Sequence, residues 1–110
     1  MKLKNWIRSF LILFLIVPNF AAANKKNLLV LHSYNTGLGW TDNINRGIFE
    51  SFKYENQRSV DIRCEYLDAK RYENQDYFAC FEKFMKNKYA YVPIDAIISS
   101  DNASSNLLVK

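Results

Sequence analysis

Apolar and polar positions alternate between two periods along this chain. Leu28, Leu29, Val30 and Leu31 form a short unbroken apolar run, the pattern of a strand buried on both faces. A polar stretch rich in Ser, Tyr, Asn, Thr and Gly follows and ends at Trp40 and Thr41. Beyond it, Ile44, Ile48 and Phe52 recur at helical spacing with Gly47 on the same side. This predicts a helix capped by Thr41, with Asp42 and Asn43 at its positive end and Gly47 allowing close approach to a sheet. The helix should fade near Asn56 to Ser59.

The period then changes. Val60, Ile62, Cys64 and Tyr66 alternate with Asp61, Arg63 and Glu65, which predicts a strand with one wet face near a sheet edge. Leu67 to Arg71 closes it in a charged loop. From Glu73 onward, Tyr77, Phe78, Phe81, Phe84 and Met85 draw a second helical stripe, read as core packing. Lys86 and Lys88 suit its last turn, and Pro93 prevents continuation. Ile94, Ala96, Ile97 and Ile98 predict a third strand that runs into Ser99, Ser100, Asp101 and Asn102. Asp101 or Asn102 is expected to cap a third helix, whose apolar face begins with Leu107, Leu108 and Val109. The tetrapeptide at Tyr54 and again at Tyr72 ends one helix and starts another, so it is not a structural repeat.

Strand and helix in alternation imply an α/β fold with parallel strands and right-handed crossovers. With the first strand central, the expected order is 2-1-3, a partial doubly wound sheet. The last apolar stripe has no following strand, so residues 24–110 are expected to be the first part of a larger lobe.

The amino-terminal region has a different composition. Lys2, Lys4 and Arg8 precede the apolar run Phe10 to Val17, Pro18 breaks it, and Ala21, Ala22 and Ala23 offer a cleavage site. This is the three-part pattern of a secretory signal peptide over residues 1–23, and the run falls short of the ~20 residues of a spanning helix. The expectation is an exported, periplasmic protein, with membrane association only through an uncleaved signal or a segment downstream.

Export alters the charge balance. The chain carries 15 basic and 11 acidic residues, and losing Lys2, Lys4 and Arg8 leaves 12 against 11. A clustered basic face is missing from that balance, and nucleic acid is not an expected partner. The two cysteines, Cys64 and Cys80, match no metal spacing, and the single His32 does not complete a zinc site with them. An oxidising compartment would permit a disulfide, but two separately buried thiols fit their positions as well. No metal or cofactor is expected.

Catalytic motifs are weak. His32 and Ser33 are neighbours on a strand and point to opposite faces, so they form no base and nucleophile pair, and no nucleophile elbow of the Gly-x-Ser-x-Gly type is present. Gly37 and Gly39 make a lone Gly-x-Gly that matches neither nucleotide fingerprint. It is either a turn needing positive φ or a loop whose amides, with the helix end at Thr41, hold a polar or carboxylate group. In the 2-1-3 order the ends of strands one and three meet. Ser33, Tyr34, Trp40 and Thr41 then face Ser100, Asp101 and Asn102 across the carboxyl edge as a small-molecule site. The same residue types are also favoured as caps and turns. Trp40 and Tyr34 are the residues that a loop has least reason to carry without a partner. The expected role is binding, not catalysis. A flavodoxin-like cofactor or enzyme domain, or a remnant without ligand, are the alternatives.

Three spaced segments add a resemblance: HSYNTGLGWTDNINRGI, EYLDAKRY and IDAIISSDNAS. Together they resemble the periplasmic-binding-protein-like module of the ABC-transporter substrate-binding type. Such modules often form the extracytoplasmic sensor half of histidine kinases and diguanylate cyclases. The matching positions are Ser33, Tyr34, Gly37, Trp40, Thr41, Gly47, Ile48, Asp68, Lys70, Arg71, Asp101, Asn102 and Ala103. The resemblance implies a first lobe that closes with a second one on a small solute, with no bond made or broken.

Overall fold

The computed structural model describes residues 25–56 and 59–109, so the expected signal peptide lies outside the described residues. Six elements follow in order: β1 (Lys26–His32), α1 (Gly39–Asn56), β2 (Val60–Tyr66), α2 (Gln75–Lys88), β3 (Ala96–Ser100) and α3 (Asp101–Leu108). The three strands form one parallel sheet in the order β2-β1-β3. This is the α/β, partial doubly wound arrangement that the periodicity predicts.

Register explains how the helices are distributed. Val30 lies between Cys64 and Ile98, and His32 lies between Tyr66 and Ser100. Successive side chains on a strand point to opposite faces, so these two rows share one face. That face meets α1, whose Asn45 touches both His32 and Cys64. The intervening positions face α2 and α3: Glu65 meets Lys88 and Tyr89, and Ser99 meets Ser105. The core is therefore the central strand. Leu28, Leu29, Val30 and Leu31 are buried, with Leu67 and Ala69 beside them. Each large aliphatic side chain buried there contributes about 2 kcal/mol.

Several local expectations are corrected. The first helix begins at Gly39, and Asp42 N–H already bonds Leu38 C=O at 2.9 Å, so Thr41 lies inside the first turn and is not its cap. Gly47 faces open space, so no close approach of backbones uses it. Gly37 takes φ +86°, a turn conformation that glycine adopts freely, whereas Gly39 is helical. Strand β2 lies at the sheet edge, as expected. All seven of its residues are half-buried; on its polar face Asp61 and Arg63 pair at 2.7 Å and stay partly in solvent, while Glu65 is covered by the end of α2.

The second helix starts at Gln75. Asn74 caps it by accepting Tyr77 N–H at 2.7 Å. Its aromatic stripe is only partly core: no residue of α2 is fully buried, and Phe84 is exposed under the Lys88 ammonium, 5.5 Å from its ring centre. The third strand begins at Ala96 and not at Ile94, because Asn27 holds the preceding chain through Pro93 O at 2.9 Å and Asp95 at 2.7 Å. Neither Asp101 nor Asn102 caps α3. Ser100 holds the cap position, with no cap bond from its own side chain.

Candidate functional site

The carboxyl ends of the strands carry all the residues that the sequence singles out, but at two depths. Ser33, Thr41 and Ser100 are buried, and the bonds that Ser33 and Ser100 make are internal. The Ser33 hydroxyl donates to Ser100 C=O at 2.6 Å and accepts the Ser104 N–H at 2.8 Å. A hydroxyl just after β1 thus caps the helix that follows β3. The backbone repeats the link, since Ser33 N–H bonds Ser100 C=O at 3.2 Å. Thr41 Oγ1 is enclosed without a hydrogen-bond partner among the described residues.

On the opposite face, His32 is fully buried and makes a bond with each ring nitrogen: Nδ1 to Ser100 Oγ at 2.9 Å and Nε2 to Asn45 Oδ1 at 3.2 Å. Asn45 Oδ1 also accepts the Cys64 thiol at 3.3 Å. An oxygen that accepts twice places the imidazole proton on Nε2, and Nδ1 then accepts the Ser100 hydroxyl. Tyr66 stacks on the ring with centroids 5.2 Å apart. Burial, then the adjacent Glu65, pushes the Cys64 thiol above its ordinary range. Sequence reading missed this row. The signal was available: His32, Tyr66 and Ser100 each end a strand, so in-register parallel pairing places them side by side.

The outer layer is open. Trp40, 60% exposed on the first turn of α1, donates its indole N–H to Asp101 Oδ2 at 3.1 Å. Asp101 stands at the junction of β3 and α3 with φ +68°, a conformation that Asp tolerates better than most side chains. Its carbonyl accepts the Ser105 hydroxyl at 2.8 Å, which fixes the junction. Asp42 turns back to accept Gly37 N–H at 3.0 Å, so the loop amide is already engaged and the helix end expected to hold a carboxylate holds its own.

Tyr34 and Asn102 lie on a groove of about 550 Å³ whose other walls include Glu73, Gln75, Phe78 and Asn106. Lys70, from the loop after β2, sits over the Tyr34 ring at 5.0 Å. Arg71 pairs with Asp68 at 3.4 Å. The structure therefore joins Trp40 to Asp101 and Tyr34 to Asn102, and sets Ser33, Thr41 and Ser100 beneath them. Asn106, Glu73 and Gln75 escaped sequence reading, because polar residues on helix surfaces carry no signal of their own.

Comparison with protein-family models, with curated proteins and with solved structures returned no match. The chemistry of this edge therefore rests on its own geometry. Cys64 and Cys80 are both free, and Cys80 is exposed, which corrects the expectation of two buried thiols. Among the described residues no group of three His, Cys, Asp or Glu side chains could hold a metal ion, and no helix is long and apolar enough to cross a membrane.

Proposed function

We propose that this chain is a small-molecule binding module of the periplasmic-binding-protein-like kind, acting outside the cytoplasm as part of a sensor or solute receptor. The observation that carries the reading is the bond from Trp40 Nε1 to Asp101 Oδ2. It brings the first turn of α1 and the junction after β3 together at the carboxyl edge of an open parallel sheet, where such sheets receive ligands. The three segments that resemble the sensor modules supply Tyr34, Lys70 and Asn102 to the same edge. Exposed aromatic rings with a few polar groups beside them suit a solute held without covalent chemistry. Export rests on the composition of residues 1–23.

The test is a panel of small solutes added to the purified chain while its Tm is followed, because a ligand that binds only the folded state raises Tm. Support comes from a solute that raises Tm of the natural chain and has a smaller effect on Tyr34→Ala or Trp40→Ala. Every effective solute acting equally on both variants would place binding elsewhere and reject the site.

A further inference from the structure

Ion pairing separates most acidic side chains by place, the exceptions being Glu50 on α1, which is unpaired among the described residues, and Asp68 at the carboxyl edge, which pairs with Arg71. Away from the carboxyl edge, Asp61, Glu65, Glu82 and Asp95 each have a Lys or Arg within ion-pair distance. At the edge, Asp42, Glu73, Asp76 and Asp101 have no such partner among the described residues. Two cations stand at that edge and both are engaged: Arg71 with Asp68, and Lys70 with the Tyr34 ring. Helix N-termini ease the cost of three of these acids. They do not account for a large indole left in solvent beside one of them.

The Lys70 and Tyr34 pair shows what an aromatic surface does at this edge: it holds an ammonium at 5.0 Å from the ring centre. Trp40 offers the better ring for the same contact, and it adds a carboxylate at 3.1 Å from its Nε1. No side-chain cation of the described residues lies over it. We propose, building on the reading of this edge as a ligand site, that it binds the alkylammonium end of a cationic solute, with the cation on the exposed Trp40 ring beside the Asp101 carboxylate. An anion is disfavoured there, since it would meet the Asp101 carboxylate, which has no cation of its own among the described residues, and the Gly37 amide is already engaged by Asp42.

The experiment follows the Trp40 indole N–H of the full chain by NMR, assigned with Trp40→Phe because Trp6 is the second indole. Choline chloride is titrated against its neutral isostere 3,3-dimethylbutan-1-ol and against sodium acetate, at matched ionic strength. The expected result is a saturable shift with choline alone. Asp101→Asn keeps the shape and suits a positive φ, and should weaken choline by about fivefold or more while the amide spectrum stays folded. Equal binding of the neutral isostere, or choline affinity unchanged in Asp101→Asn, overturns the proposal. Saturation by acetate or the neutral probe without choline rejects the cation while leaving a ligand site at this edge. Silence with all three probes counts against the cation; the broad solute panel then decides the site itself.

Discussion

The hydroxyl of Ser33, just after β1, accepts the backbone N–H of Ser104 in α3 at 2.8 Å, across 71 positions of sequence. The same oxygen lies 3.0 Å from the Ser104 hydroxyl, which reaches Ser100 C=O at 2.7 Å. Every group in this cluster is buried, so losing one leaves a polar partner without water. Ser33→Ala should destabilise the chain by about 1–3 kcal/mol in urea denaturation. A double-mutant cycle with Ser104→Ala should show coupling well above the noise of additive sites. A cost near zero would mean that the helix end finds another cap.

Trp40 occupies the opposite case. Its ring is largely in solvent, and its hydrogen bond to Asp101 is on the surface. Trp40→Ala should change folding free energy by no more than about 1 kcal/mol. Urea midpoints of the two proteins measure this. A loss of several kcal/mol would make the indole a packing residue and remove it from the site.

The two thiols should differ in reactivity. Cys80 is exposed on α2, whereas Cys64 is half-buried, bonded to Asn45, and held protonated by burial and by Glu65. The thiolate is the reactive form, so iodoacetamide at mildly alkaline pH should modify Cys80 at least about tenfold faster than Cys64. Peptide mass spectrometry over a time course reads both sites. Equal rates would show that the strand opens faster than the reagent reacts.

Tyr89 supplies a pH dependence with a definite sign. Its hydroxyl donates to Glu65, and burial together with that carboxylate pushes the phenol well above its ordinary value. The folded chain keeps a proton that the unfolded chain releases near pH ~10. Stability from this group is therefore complete below that pH and falls as pH rises above it. Burial raises Tyr66 and Tyr77 in the same direction. Tyr89→Phe should flatten the alkaline limb of a stability profile measured by urea denaturation across that range. An unchanged limb would assign the loss to other groups.

The sheet was legible in the sequence because period and length both pointed to it. Leu28 to Leu31 is apolar without a break and becomes the central strand, and the two helical stripes separate the strands. Depth at the carboxyl edge was not legible. Ser33 and Tyr34 are adjacent and equally suited to a ligand by type, yet one is enclosed by Ser104 and the other lines a groove. That difference comes from the position of α3, which no pattern near Ser33 announces. The start of α1 was misplaced for a related reason. Thr41 is a favoured cap by type, but the chain turns earlier, at Gly37, and buries Thr41 in the first turn. Gly47 was read as a packing contact from its spacing alone, and spacing does not say how near the sheet stands.

The central place of β1 has a consequence for the order in which the chain folds. Its partner β2 is near in sequence, but the bond from His32 to Ser100 closes a separation of 68 residues. Contacts of that span cost loop entropy before they return anything, and they slow folding. During synthesis, β1 and β2 leave the ribosome together while the other side of β1 stays unpaired until residues 96–100 emerge. Through that interval the backbone of β1 presents an unpaired edge on the side that β3 later takes. A chain whose folding waits until residues 96–100 are available would pair both sides of β1 together and avoid the half-paired sheet.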